Sequence, residues 1–122
     1  MVEDMELTEA SRADEVRAFV DRTPLAQEMG LRCGVMGDEM TMIMPYQEKL
    51  IGNFMIKAIH GGAIGAFLEI TSQAQVFLVT EHLLRPPRPI NLTIDYLRQG
   101  HAKDLYARAE ITKMGRRMCS VR

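Results

Sequence analysis

The sequence has few cysteines and no long apolar run. Its only two cysteines, Cys33 and Cys119, lie far apart and have no Cys or His at metal-ligand spacing, which excludes a disulfide framework and a zinc motif. No stretch approaches the roughly 18 apolar residues that a membrane span requires. Residues 1–6 are acidic and lack the apolar core of a secretory signal. We therefore expect a cytoplasmic protein without a membrane segment.

The sequence also lacks an excess of charge of either sign. The 15 Lys and Arg residues against 16 Asp and Glu residues give a formal net charge of -1, so no strong field favours nucleic acid or an anionic membrane as a partner. The length of 122 residues indicates a single domain. A hydrophobic content of 47% and a charged content of 25% are typical of a globular protein.

Methionine, in contrast, is abundant. Ten are present, and three of them (Met40, Met42 and Met44) alternate along one short segment. Methionine fills irregular core gaps, and it also lines adaptable apolar surfaces. Filling of the core is the favoured interpretation, and a pliable acyl pocket is the alternative.

Periodicity predicts helices at the start of the chain and strands after them. Residues 8–22 read as an amphipathic helix capped by Ser11, which Pro24 brings to an end. Residues 25–29 can add one more turn. Residues 31–35 and 40–44 then form a hairpin around a Gly-Asp turn, with both faces of the second strand largely buried.

The middle of the chain carries the strongest signal. After a predicted loop over residues 45–57, Gly61 opens a helix that runs to about Val79 and is apolar almost all round. A helix of this kind is buried on most sides. Residues 84–89 read as irregular because they hold three prolines. Three strands follow, over residues 90–96, 105–112 and 117–121.

This order of elements predicts an α+β fold in which an antiparallel sheet wraps around a central helix. We divide the chain into an N-terminal helix, residues 1–24, and a main domain, residues 25–122, within a single domain overall. The last strand is short for its partner, so we expect the chain to end earlier than its relatives do.

Candidate chemistry lies where the central helix begins. The backbone N–H groups of Gly61 and Gly62 have no partners within a helix, and the positive end of the helix dipole favours a carbonyl oxygen or oxyanion there. A plain glycine-rich helix start is the alternative. His60 precedes both residues, and its role is interpreted as positional.

Glu69 is the second candidate. A carboxylate between apolar neighbours on a buried helix is costly unless it is partnered or functional, and such a group suits general-base or nucleophilic work. The alternative is a glutamate on one wet edge of the helix. Ser72 and Gln73 lie three and four residues further on and share its face, so they could orient the carboxylate or a water molecule.

Other polar residues give weaker signals. His82 and His101 fall in predicted loops without acidic or cysteine partners, so we predict no metal site. Guanidinium groups near strand ends can hold phosphates, although solvated surface charge is the default for each one. The arginines of this kind are Arg85, Arg88, Arg98, Arg116 and Arg117.

The residues around the helix start resemble a known family. Residues 59–69, Ile-His-Gly-Gly-Ala-Ile-Gly-Ala-Phe-Leu-Glu, resemble the corresponding segment of PaaI-like acyl-CoA thioesterases of the hotdog superfamily. Residues 96–100, 104–105 and 115–117 are similar to that family's later strands. The resemblance covers roughly residues 25–122 and implies the hotdog fold.

The resemblance also implies roles for single residues. The N–H of Gly61 would polarise the thioester carbonyl, and Glu69 would act as nucleophile or general base. A glutamate at this position resembles the 4-hydroxybenzoyl-CoA thioesterase branch, whereas many relatives have aspartate. Relatives place an Asn or Gln upstream, for which Asn53 is the candidate, one residue further from His60 than in the pattern.

We therefore expect an acyl-CoA thioesterase that uses no metal or organic cofactor. It would form a homodimer with shared sites and assemble further to a tetramer. A non-catalytic acyl-CoA-binding protein is the main alternative. A hotdog dehydratase ranks lower, because the His-plus-acid pair of those enzymes is not evident. The expected catalytic residues are His60, Gly61, Glu69 and Asn53, and the expected substrate-binding residues are Gly62, Ser72, Gln73, Arg98, Arg116 and Arg117.

Overall fold

A computed structural model describes residues 11–122. The first predicted helix is confirmed from its cap onward, as helix α1, Arg12–Arg22, in which the Ser11 side chain accepts from the Asp14 N–H at 3.1 Å. Residues 1–10 of the predicted N-terminal helix lie outside the described residues. Thr23 ends α1, and the predicted further turn is helix α2, Pro24–Glu28. Proline suits this first helical position because its missing N–H would be unpaired there anyway.

The predicted hairpin is present as strands β1, Arg32–Met36, and β2, Glu39–Met44. Gly37 supplies the positive φ of 62° in the turn between them. Met40, Met42 and Met44 are buried, as the core-filling interpretation expects. The prediction of two largely buried faces was wrong for the other face of β2, on which Thr41 and Ile43 are half-buried and Glu39 is exposed.

The prediction of a loop over residues 45–57 was also wrong in part. A 3-10 helix, Glu48–Leu50, leads into strand β3, Ile51–Asn53, which pairs with strand β4, Ala58–Ile59. The apolar residues Leu50, Ile51 and Ile59 are buried, so this hairpin contributes to the core.

The central helix α3 spans Gly61–Val79, as predicted. It packs against α1, β2 and strand β5, Leu105–Ala107. By length and composition α3 is the one helix within residues 11–122 that could cross a membrane, and half of it is buried inside the protein. Core helices have this composition too.

The sheet in contact with α3 is antiparallel, in the order β1-β2-β5. The predicted strand over residues 105–112 is interrupted: β5 ends at Ala107, and strand β6, Ile111–Met114, pairs instead with strand β7, Cys119–Val121. The interruption arises because the backbone of Glu110 bonds in both directions to Arg122, at 2.6 and 2.7 Å, rather than to β2.

The strand predicted over residues 90–96 was wrong. Those residues pair with no strand in the described part of the chain, and Ile90 is 78% exposed. They lie instead along α3, as set out for the site below. The irregular segment predicted over residues 84–89 is confirmed.

One arginine joins the first helix to the end of the central helix. The Arg12 guanidinium donates to the backbone oxygens of Thr80, Glu81 and Leu83, at 3.3, 2.7 and 2.8 Å. It also lies over the Phe77 ring, 4.3 Å from its centroid. A planar guanidinium with five donors suits this task, and the three carbonyls lie just beyond Val79, the last residue of α3.

We expect Arg12→Ala to lower the free energy of unfolding by about 2 kcal/mol, because charge-assisted hydrogen bonds and a cation–π contact are lost together. Arg17→Ala is the matched control on the same helix. Arg17 makes one exposed pair with Asp14 at 3.4 Å, and its loss should cost less than about 0.5 kcal/mol. Urea denaturation measures both values, and equal losses would contradict this role for Arg12.

Candidate active site

The first turn of α3 is capped by the residue that precedes it. His60 is the N-cap, and its ring Nδ1 accepts from the Gly62 N–H at 2.8 Å. A Cβ on Gly62 would lie 2.9 Å from this same Nδ1, so glycine is what permits the ring to fold back. Nδ1 carries no proton in this bond, which leaves Nε2–H as the donor of the neutral ring.

The Gly61 N–H differs from its neighbours. Within residues 11–122 it donates to no protein atom, whereas the Ala63 and Ile64 N–H groups both donate to the His60 carbonyl, at 3.0 and 3.2 Å. The peptide that ends in the Gly61 N–H is thus polarised at its oxygen. Its free N–H stands at the positive end of a helix of 19 residues. This arrangement can stabilise negative charge on a bound carbonyl oxygen.

The hairpin β3–β4 supports this turn from one side. The His60 N–H donates to the Leu50 carbonyl at 2.8 Å. Gly52 lies so close that a Cβ there would be 2.8 Å from the His60 Cα. Neighbouring Asn53 is exposed, and its Oδ1 accepts from the Met55 N–H at 3.0 Å. Asn53 therefore lies beside Gly52 in β3, and its side-chain oxygen is engaged in a local turn.

Residues 87–96, which we call the covering segment, support the turn from another side. Three of its residues contact one row of α3 whose members are four residues apart. The Tyr96 hydroxyl donates to the Gly61 carbonyl at 2.7 Å. The Ile94 Cδ1 lies 3.0 Å from where a Cβ of Gly65 would be. At the far end of the row, Gln73 Nε2 donates to the Pro87 carbonyl at 3.0 Å.

Glu69 also belongs to this row. It is half-buried, and its carboxylate bonds to no other residue among those the structure describes. Ser72 donates to the Leu68 carbonyl at 2.9 Å, and Gln73 donates to Pro87, so neither donor is directed to Glu69. Glu69 follows Gly61 by eight residues, which separates them by about 12 Å along the helix axis.

The other predicted site residues lie at the surface. Arg98 follows the covering segment, and Arg116 and Arg117 lie in the turn between β6 and β7; all three are exposed.

No group of three His, Cys, Asp or Glu side chains within residues 11–122 could hold a metal ion. Burial raises the pKa of the Cys33 thiol, an effect that Arg17 opposes and Asp21 reinforces. Cys33 is therefore no activated nucleophile.

A large cavity lies elsewhere, at the other end of α3. Its volume is about 720 Å³, and Gln75, Val79 and Ile111 are among its lining residues. Gln75 is 14 residues beyond Gly61, which corresponds to roughly 21 Å along the helix. The cavity and the free Gly61 N–H therefore belong to different regions of the molecule.

Two residues of this region were not predicted. In the strand predicted over residues 90–96, Tyr96 lies on the same face as Ile94. This alternation indicates a buried face, but it does not predict a hydrogen bond from Tyr96 to the start of the helix. Gly52 appears in the sequence only as a glycine in an expected loop. Its close approach to His60 depends on a hairpin between strands of three and two residues, too short to be predicted from periodicity.

The profile of the family described as "Acyl-CoA thioesterase N-terminal domain" matches residues 50–122, which is more than half of the chain. The chain belongs to this acyl-CoA thioesterase family. All ten predicted site residues fall within the matched range, whereas α1, α2, β1 and β2 precede it. No curated protein matches the chain.

Solved structures show the same fold over nearly the whole chain. A protein from the thioesterase superfamily has a TM-score of 0.81 at 22% identity, covering 90% of this chain and 82% of its own. A thioesterase family protein from Silicibacter pomeroyi has a TM-score of 0.73 at 22% identity, with 87% and 76% covered. A phenylacetic acid degradation-related protein from Ralstonia eutropha JMP134 has a TM-score of 0.69 at 22% identity, with 92% and 85% covered.

These similarities confirm the expected α+β hotdog fold and the resemblance to PaaI-like thioesterases. In this member of the acyl-CoA thioesterase family, the matched range begins at Leu50, the last residue of the 3-10 helix, whose carbonyl accepts from the His60 N–H. It therefore includes both the hairpin and the covering segment that surround the first turn of α3.

We expect Gly52→Ala to lower the free energy of unfolding by about 1–3 kcal/mol, because the new Cβ would force the hairpin away from the His60 backbone. Gly34→Ala in β1 is the matched control, since a Cβ there meets no atom within 4 Å. The control should leave stability unchanged or raise it slightly. Thermal unfolding of the two variants tests this, and a Gly52→Ala protein as stable as Gly34→Ala would contradict the close packing.

Proposed function

We propose that this protein hydrolyses an acyl-CoA thioester to the free acid and coenzyme A. The observation that carries the proposal is the unpaired N–H of Gly61, which stands at a helix N-terminus whose neighbouring N–H groups are all bonded. Membership of an acyl-CoA thioesterase family supports this use of the site.

The thioester carbonyl oxygen would accept a hydrogen bond from Gly61. As the carbonyl carbon is attacked, negative charge develops on this oxygen, and a fixed donor stabilises that charge more than it stabilises the ground state. Because the hairpin and the covering segment already hold the turn, little reorganisation is needed during reaction.

Glu69 would provide the second half of the chemistry. As a general base, its carboxylate takes a proton from water, and the water oxygen bonds to the carbonyl carbon. The tetrahedral intermediate then collapses, the carbon–sulfur bond breaks, and the departing thiolate takes up the proton held by Glu69. As a nucleophile, Glu69 would itself bond to the carbonyl carbon and expel the thiolate, and water would then cleave the resulting anhydride.

The distance of about 12 Å along one helix means that a glutamate side chain cannot easily reach a carbonyl held at Gly61 of its own chain. We therefore infer that Glu69 acts on the site of a second copy. If two copies of α3 run antiparallel across a two-fold axis, each Glu69 meets the other copy's Gly61, and one interface generates two equivalent sites. Assembly of such dimers into a tetramer is part of the same proposal.

The exposed edge of the covering segment, together with Leu97 just after it, suits such an interface. Ile90, Leu92 and Leu97 are 78%, 46% and 88% exposed, and the backbone between them pairs with no strand within residues 11–122. An unpaired extended edge with apolar side chains is a template for pairing with a second chain. Pairing with the same segment of a second copy would cover these side chains.

Coenzyme A is the proposed carrier of the acyl group. The exposed guanidinium groups of Arg98, Arg116 and Arg117 are available for its phosphates. A cytoplasmic location, where acyl-CoA is found, is part of the same proposal. No metal or organic cofactor is part of the proposed reaction.

We expect Glu69→Gln to lower kcat by at least about 100-fold, the usual scale for the loss of a general base, without loss of folding. Free-thiol release from a panel of aliphatic and aromatic acyl-CoAs measures kcat and KM and also identifies the preferred acyl group. Glu81→Gln, two residues beyond the end of the same helix and exposed, is the matched control and should retain wild-type kcat.

Two results would count against the proposal. Activity of Glu69→Gln within a few-fold of wild type would remove Glu69 from the mechanism. A wild-type protein that binds acyl-CoA but hydrolyses no member of the panel would be a non-catalytic acyl-CoA-binding protein.

The shared site is tested by complementation between two inactive variants, Glu69→Gln and Gly61→Pro. Proline removes the Gly61 N–H at the first helical position, where proline is tolerated, and the preceding His60 already has the extended φ of −59° and ψ of 129° that a following proline requires. If the variants are unfolded and refolded together, half of the dimers are mixed, and each has one intact site. About a quarter of wild-type activity should therefore return.

Gly61→Ala is the control for the proline variant, since it retains the N–H and places its Cβ 3.4 Å from the Tyr96 ring, an ordinary contact. It should keep more activity than Gly61→Pro. Mass spectrometry of the refolded mixture reports whether mixed dimers form. If mixed dimers form and the mixture stays as inactive as its parents, each site lies within one subunit.

A further inference from the structure

The peptide group between Gly61 and Gly62 is held at both of its polar atoms. Its carbonyl oxygen accepts from the Tyr96 hydroxyl at 2.7 Å, and its N–H donates to His60 Nδ1 at 2.8 Å. Hydrogen bonds at the two ends of one peptide polarise it and strengthen each other. The two side chains come from opposite directions in the sequence, one just before the turn and one 35 residues after Gly61.

We call these two hydrogen bonds, from the Tyr96 hydroxyl and to His60 Nδ1, the clamp. The clamp acts on Gly61, whose backbone would otherwise be free to rotate. Glycine has the greatest backbone freedom of any residue, and the first residues of a helix fray more readily than its interior. The φ and ψ angles of Gly61 together relate the clamped peptide to the preceding one, which carries the free N–H. Fixing the clamped peptide therefore restricts the directions in which the free N–H can point.

We propose that Tyr96 is a positioning residue for thioester hydrolysis, because its hydroxyl holds the Gly61 carbonyl and so keeps the Gly61 N–H aimed at the thioester oxygen. This inference rests on the proposed function. Tyr96 donates its proton to the protein backbone, so it acts on the reaction through Gly61.

The covering segment keeps the Tyr96 ring in place. Tyr96 Cε1 and Cζ lie 3.4 Å from where a Cβ of Gly61 would be, and Ile94 packs at Gly65, one turn further along the helix. Tyr96 is 55% exposed. Because little of it is buried, its position depends on the hydroxyl bond and on these contacts. Removal of the hydroxyl should therefore release the turn without opening the core.

We expect Tyr96→Phe to lower kcat about tenfold and to leave KM within about twofold. Loss of an oxyanion donor costs about 100- to 1,000-fold, and a donor that is present but poorly aimed should cost less. Tyr106→Phe is the matched control: Tyr106 is 66% exposed on β5, and its hydroxyl bonds to no residue within the described chain. Both of its kinetic parameters should stay within about twofold of wild type.

A spectroscopic measurement separates an effect on the direction of the Gly61 N–H from an effect on the stability of the fold. An acyl-CoA labelled with ¹³C at its carbonyl is bound to Glu69→Gln, which does not consume it, and the infrared carbonyl stretch is recorded. Polarisation by the Gly61 N–H should move the stretch to lower frequency than in free substrate. In the Glu69→Gln/Tyr96→Phe double variant, part of this displacement should be lost, while the Glu69→Gln/Tyr106→Phe double variant should keep all of it.

Each result has a defined meaning. If Tyr96→Phe matches Tyr106→Phe in kcat and in carbonyl frequency, Tyr96 plays no positioning role, and the thioesterase proposal is unaffected. A raised KM with unchanged kcat would make Tyr96 part of a binding surface and overturn positioning. If the bound carbonyl shows no displacement even with Tyr96 present, Gly61 is not the donor, and both proposals fail.

Discussion

The central helix is apolar almost all round and must be covered on several sides, and the rest of the fold follows from this constraint. Phe67, Ile70, Ala74 and Phe77 form one buried face, and buried Gly65 and Val76 lie on the opposite side. One layer cannot bury such a helix. The sheet covers one side, α1 covers another, and the covering segment lies along a third. At the first turn, the two close approaches made possible by Gly52 and Gly62 leave a single N–H without a partner.

The fold was predictable from sequence where the signal was local and periodic. The central helix was predicted to both of its ends, because the two glycines mark its start and a largely apolar stretch of 19 residues is too long for a strand. The covering segment was taken for a strand because Ile94 and Tyr96 alternate with polar residues. Alternation indicates one buried face, but a strand also needs a neighbouring strand to bond to. Whether that neighbour exists depends on contacts distant in sequence.

The candidate site was predictable in part, for a related reason. Gly61 and Glu69 stand out because their residue types conflict with a buried helix interior. The uses of Ser72 and Gln73 could not be read from spacing, because a helical face holds several possible acceptors and the structure selects Leu68 and Pro87. Tyr96 was hidden because its partner is a backbone carbonyl, and every residue carries one of those.

The bond from Arg12 to Leu83 has a consequence for synthesis on the ribosome. The two residues are 71 positions apart, and chains grow at about 5–20 residues per second. About 4–14 seconds therefore pass between the synthesis of Arg12 and that of its acceptor, the Leu83 carbonyl. The Phe77 ring, over which the guanidinium lies, is made only shortly before Leu83. For most of that interval, until residues 61–79 have been made, the apolar stripe of α1 has no central helix to cover it.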